Sequence, residues 1–230
     1  LNDSASSFNS VQLTQRVEQI QQRLAAASQP VTLIAVTKYA SLDQMVAAYH
    51  AGIRHFGENK VQDALEKMEQ LPPEVVNGVQ WHLIGHLQSN KINKTLGRFA
   101  LIHSVDSVDL AEGLSLRNVN ANLIQPILLQ VNVSKEATKH GFAPEETLAA
   151  MQKIMTLKGV RVQGLMTMAP ATTDEQAIAD TFAGLANLRE LLISSTQHPL
   201  PELSMGMTQD YIHAIPCGAT MVRIGSAIFR

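Results

Sequence analysis

Eight short apolar runs, all but the last followed by a stretch with helical spacing, constrain this chain more than any other feature. The first is Val-Thr-Leu-Ile-Ala-Val-Thr-Lys at residues 31–38. Aliphatic and β-branched residues fill it without polar alternation, which is the mark of a strand buried on both faces. Further runs fall at residues 53–56, 79–84, 99–103, 126–133, 162–166, 203–205 and 219–224. Between them lie helical patterns. Ser41-Leu-Asp-Gln44 is a capping box whose apolar face ends at Gly52, and Ile178, Phe182, Leu185 and Leu192 share one face of a long helix. Asn59 with Gln62 opens another helix, which Leu71-Pro72-Pro73 closes. Strand–helix alternation repeated in this way predicts an all-parallel α/β fold, and eight repeats allow the sheet to close as a (β/α)8 TIM barrel. An extra helix over residues 11–27 precedes the first strand. Residues 1–30 therefore read as a lead-in with its helix, and residues 31–230 as one barrel domain without a linker.

In such a fold the chemistry sits at the carboxyl ends of the strands. Lys38 ends the first strand there, on rigid backbone, where an amine serves as a nucleophile or simply meets water. After the eighth strand comes Gly225-Ser226, and the seventh ends in Ser204-Met-Gly-Met-Thr208. In (β/α)8 barrels these two loops often make a phosphate site, with free backbone N–H groups and hydroxyls as donors. Each signal is weak alone. Ring closure makes the first and eighth strands neighbours, so the lysine and the anion cradle converge. A phosphorylated aldehyde held as a Schiff base needs that pairing, and pyridoxal 5'-phosphate is the candidate cofactor. Arg223 lies two residues before Gly225 and shares its face of the strand, where it either meets the cofactor's ring nitrogen or pairs with a surface carboxylate. Asn59 either touches the cofactor or serves as a helix N-cap.

Other clusters point away from chemistry. His82 and His86 have a metal-like separation, but Gly85 and a strand end part them, and neither a thiolate cluster nor an H-E-x-x-H pattern accompanies them, so no metal site is expected. Lys135, Lys139 and His140 crowd the loop after the fifth strand and read as solvated loop rather than an anion site. The net charge of −2 gives no basic surplus for nucleic acid or an anionic membrane. No apolar run is long enough to span a bilayer. The lone Cys217 leaves no internal disulfide and fits a reducing, cytoplasmic compartment.

Taken in order, Ala35-Val-Thr-Lys38, Phe56-Gly-Glu-Asn59, Trp81-His-Leu-Ile-Gly-His-Leu-Gln-Ser-Asn-Lys91, Gly164-Leu-Met-Thr-Met168, Leu203-Ser-Met-Gly-Met207 and Met221-Val-Arg-Ile-Gly-Ser-Ala-Ile-Phe229 resemble the pyridoxal phosphate homeostasis proteins. Lys60, Gln209 and Arg230 depart from the family pattern. The resemblance implies a barrel similar to the N-terminal domain of alanine racemase, with pyridoxal 5'-phosphate on Lys38. It implies a phosphate held by Ser204, Gly225 and Ser226, Arg223 at the pyridine nitrogen, and Asn59 in the pocket lining. The leading expectation is a carrier that stores, buffers or delivers the cofactor, a monomer with apo-enzymes as recipients. Few residues follow the eighth strand, and no second catalytic base stands out. The alternatives are a one-domain amino-acid racemase and a phosphosugar-binding barrel in which Lys38 makes no covalent bond.

Overall fold

The structure is a computed structural model that describes residues 9–136 and 140–230. Eight parallel strands close on themselves in sequence order: β1 (Thr32–Val36), β2 (His55–Glu58), β3 (Gln80–Leu83), β4 (Leu101–Val105), β5 (Gln125–Gln130), β6 (Val160–Met166), β7 (Glu202–Met207) and β8 (Met221–Ile224). The expected TIM barrel is present. Its closing seam pairs β1 with β8, with Ile34 opposite Arg223 and Ala35 opposite Ile224. Lys38 and Gly225 therefore leave adjacent strands at the same end.

The helices are α1 (Ser10–Ala25), α2 (Leu42–His50), α3 (Val61–Gln70), α4 (Pro73–Gly78), α5 (Val108–Asn120), α6 (Thr147–Ile154), α7 (Glu175–Thr196), α8 (Tyr211–Ala214) and α9 (Ser226–Phe229). The Ser41 capping box forms with both reciprocal bonds. Asn59 is not an N-cap: Lys60 holds that position in α3, without a side-chain cap bond. After β3 the chain makes only a 3-10 helix, Ser89–Lys94, in place of the α-helix that strand–helix alternation predicts there. Because α8 and α9 have only four residues each, the outer layer near the closing seam needs further cover. The buried stripe Leu13, Val17, Ile20 and Leu24 of α1 joins the main core there. Arg16 donates to the Ile228 carbonyl at 3.4 Å and Arg23 to the Tyr211 hydroxyl at 3.2 Å, tying α1 to the C-terminal segments.

β2 lies two residues later than its apolar run suggests. Gly57 and Glu58 look like a closing turn, yet both belong to the strand. A Cβ on Gly57 would sit 2.8 Å from Ile34 Cγ2, so glycine here makes room inside the barrel rather than turning the chain. Glu58 is fully buried on the outer face, where Thr37 Oγ1 donates to its Oε1 at 2.6 Å and Lys67 Nζ at 2.7 Å. Inside the barrel, Ile34, Leu101, Leu128, Met166 and Met221 form a small apolar cluster separate from the main core. Among the described residues no helix is long and apolar enough to cross a membrane.

Candidate functional site

Side-chain alternation puts Ile34, Val36 and Lys38 on the inward face of β1 and its continuation. Ile34 is buried in the interior, Val36 is half-buried and Lys38 is exposed, so this face climbs from the barrel centre to its mouth. On β8 the same progression runs Met221, Arg223, Gly225. The two faces meet in a cavity of about 330 Å³, lined among others by Val36, Lys38, Thr208, Arg223, Gly225 and Ser226. It is not the largest hollow; one of about 590 Å³ lies at the opposite end of the barrel, around Gln29, Arg54 and His55. The smaller cavity is the functional candidate because it joins a strand-end lysine to polar backbone at the carboxyl end.

Within the described residues the Lys38 amine has no carboxylate partner; its Nζ lies over the Tyr39 ring, 4.9 Å from the centroid. Gly225 N–H donates to Thr208 Oγ1 at 3.3 Å. A Cβ on Gly225 would fall 3.2 Å from the Val36 carbonyl oxygen and 3.3 Å from Val36 Cβ. Glycine therefore keeps the cradle wall thin where a ligand would approach the backbone. An exposed primary amine beside hydroxyls, a bare glycine backbone and a guanidinium suits an aldehyde carrying a phosphate, so the donor set fits pyridoxal 5'-phosphate.

Arg223 lines the floor of this cavity and is itself buried. Its Nη1 donates to Ser204 Oγ at 2.7 Å and its Nη2 to the Thr167 carbonyl at 2.9 Å. Burial lowers its pKa to about 10, with Asp210 opposing the shift, so the guanidinium stays charged at neutral pH. Below it runs a file of imidazoles: His103 Nδ1 to Ser204 Oγ at 2.8 Å, His82 Nδ1 to His103 Nε2 at 2.9 Å, and His55 Nδ1 to His82 Nε2 at 3.0 Å. Arginine has no acceptor, so the Ser204 proton is free to point at His103 Nδ1. His103 and His82 then each donate through Nε2, and the file is polarised from Arg223 toward the opposite end. Desolvation, reinforced by the His55 charge, lowers the His82 pKa to about 3. Burial with His82 and Arg223 nearby drives His103 well below its usual range.

Lys38, Arg223, Gly225 and Ser226 come together as expected. Ser204 does not join them at the mouth. It is fully buried, committed to Arg223 and His103, and opposite Met221 in register. Gly225 is four residues above Met221, about 13 Å along a strand, so Thr208 is the hydroxyl of β7's end that reaches the cavity. Ser-Met-Gly-Met-Thr offers both hydroxyls, and only the register with β8 separates them. Asn59 is half-buried on the inward-facing phase of β2's end, outside the immediate cavity wall. His82 and His86 go to different surroundings, one in the imidazole file and the other in the loop after β3. Lys139 lies outside the described residues; Lys135 and His140 are exposed.

Comparison with known proteins agrees with this geometry. Residues 9–230 match the family described as alanine racemase, N-terminal domain. The pyridoxal phosphate homeostasis protein of Pseudomonas aeruginosa is 42% identical over 207 residues, covering 89% of this chain and 87% of that protein. Its counterpart in Aquifex aeolicus is 35% identical over 215 residues, covering 94% and 93%. Among solved structures, PipY of Synechococcus elongatus PCC7942 with PLP bound superposes with a TM-score of 0.83 at 33% identity, over 95% of this chain and all of that one. Alanine racemase of Clostridium difficile 630 shares the fold, with a TM-score of 0.78 at 12% identity, and this chain spans 55% of its length. With a closed barrel, a strand-end lysine facing the cradle, and relatives matched along nearly their whole length, the chain belongs to the pyridoxal phosphate homeostasis protein family.

Proposed function

We propose that this protein binds pyridoxal 5'-phosphate through a Schiff base on Lys38, and that it stores, buffers or delivers the cofactor rather than turning over a substrate of its own. The observation that carries the reading is the shared cavity of Lys38 with Thr208, Arg223, Gly225 and Ser226. Gly225, Ser226 and Thr208 hold the phosphate, and Arg223 faces the ring nitrogen. When bound, the cofactor supplies an electron-withdrawing ring conjugated to its aldehyde carbon. Arg223 limits that chemistry here: a charged guanidinium donates a hydrogen bond and hands over no proton, so a ring nitrogen facing it stays unprotonated.

The neighbours of Lys38 favour a carrier over a racemase. Proton exchange at both faces of a substrate needs two positioned bases. Lys38 is one candidate; Asp210, also on the cavity wall, is turned back to accept the Met207 N–H at 2.6 Å. Relatives at 35% and 42% identity bear the homeostasis name. In this reading the protein is a cytoplasmic monomer whose recipients are apo-enzymes that use the same cofactor. The test is a titration with pyridoxal 5'-phosphate followed by visible absorbance, then incubation with L- and D-alanine in deuterated water. The expected result is a chromophore that Lys38→Ala abolishes, without robust α-proton exchange. Rapid exchange would replace the carrier with a racemase, and a protein that never colours would remove both.

A further inference from the structure

On the far side of the barrel mouth from the β1–β8 seam, the loops after β3, β4 and β5 bring three metal-ligating side chains together. His86 Nδ1 lies 3.1 Å from Asp106 Oδ2, and His140 Nδ1 lies 3.7 Å from the same oxygen. The three ligand atoms all fall within 4.8 Å of one another. The two imidazoles stack, with centroids 4.6 Å apart and planes at 19°, so one of these exposed rings must turn about its Cβ–Cγ bond for both in-plane lone pairs to meet one ion. A tetrahedral ion with bonds of about 2.1 Å spaces its ligand atoms about 3.4 Å apart. The two measured separations bracket that distance.

Charge supports the same reading. The Asp106 side chain is only 11% exposed, and its polar partners among the described residues are these two imidazoles. A carboxylate this deep needs a positive partner. One divalent ion placed between the carboxylate and the two rings supplies that charge and engages all three side chains. The supports are in place as well. Ser104 Oγ donates to the Gly85 carbonyl at 2.6 Å, joining the strand end before Asp106 to the residue before His86. Gln130 Nε2 donates to the His140 carbonyl at 2.9 Å, fixing that loop from the end of β5.

We propose that His86, Asp106 and His140 bind a divalent transition metal ion of the zinc type, with three protein ligands and one position open to water or an incoming ligand. Imidazole ligands favour zinc, nickel or copper over magnesium or calcium. On binding, the Nδ1 proton that each ring directs at Oδ2 is lost to solvent, the ring carries its remaining or newly acquired proton on Nε2, and the freed Nδ1 lone pair goes to the metal, so coordination replaces the Nδ1–Oδ2 hydrogen bonding. The occupied site pins the loop after β5 to the loops after β3 and β4. It shares no residue with the Lys38 cavity and does not depend on the cofactor reading.

The test titrates the full chain with zinc chloride in chelator-free buffer by calorimetry, without pyridoxal 5'-phosphate, and repeats it with cobalt(II) by visible absorbance. The expected result is one equivalent bound with micromolar affinity, and cobalt bands of a site containing nitrogen ligands. Asp106→Asn and His140→Ala should each weaken binding more than tenfold, while Cys217→Ser and Lys38→Ala leave it unchanged. His140 is exposed, so its replacement does not endanger the fold. Absence of saturable binding up to about 1 mM zinc, a level that corresponds to only about 4 kcal/mol, would overturn the proposal. Equal binding by the His140→Ala and Asp106→Asn variants would overturn it too, because the ion would then sit elsewhere.

Discussion

Acid should unfold this protein partly through the imidazoles inside its barrel, and His82 gives the effect a size. Its folded pKa is about 3 because burial and the His55 charge penalise the imidazolium; in the unfolded chain histidine titrates near about 6.5. Between those two values the unfolded state carries a proton that the folded state refuses. The unfolded chain thus binds more protons, and stability must fall as pH falls through about 6.5, continuing to about 3. From pH 7 to pH 5 the loss from His82 alone integrates to about 2 kcal/mol, with a limiting slope of about 1.4 kcal/mol per pH unit. His103, shifted in the same direction, adds to it. Urea unfolding at several pH values between 5 and 7.5, followed by near-UV circular dichroism, avoids most carboxylate titration. His82→Gln, which cannot take up the proton, should flatten the slope by about one proton relative to the parent chain, whatever it does to stability at pH 7.5. Equal slopes in the two proteins would refute the reasoning, since His82 would then titrate alike folded and unfolded.

Lys67→Met leaves the fully buried Glu58 carboxylate with the Thr37 hydroxyl as its remaining side-chain donor among the described residues, Oε2 having none there. It should cost about 3–5 kcal/mol, much of which Glu58→Gln restores in the double variant; a loss under about 0.5 kcal/mol would contradict the ion pair's role. Gly225→Val crowds the Val36 carbonyl and should weaken pyridoxal 5'-phosphate at least tenfold, about 1.4 kcal/mol, with a smaller effect on unphosphorylated pyridoxal in parallel equilibrium dialysis. Equal losses for both ligands would separate Gly225 from the phosphate.

Local rules were legible where the chain is close to its own neighbours. Ser41 caps α2 through Gln44 as the spacing requires, and Lys38, Arg223 and Gly225 fall on inward faces because strand alternation is a short-range geometry. What escaped depends on partners far along the chain. Gly57 and Glu58 look like a turn until Ile34, Ile84, Thr37 and Lys67 surround them in a strand. Ser204 and Thr208 are equivalent hydroxyls in sequence, and only the pairing of Ser204 with Met221 puts the former below the site. His55 and His103 carry no motif at all, and their alignment with His82 exists only once three strands are in register.

Lys38 and the Gly225–Ser226 cradle should act as one cofactor site. Borohydride reduction of the protein mixed with pyridoxal 5'-phosphate, followed by peptide mass mapping, tests it most directly. The expected result is a single stoichiometric phosphopyridoxyl adduct on the peptide containing Lys38, and a far smaller yield with pyridoxal lacking the phosphate. An adduct spread over surface lysines, or one on Lys38 that forms equally well without the phosphate, would contradict it.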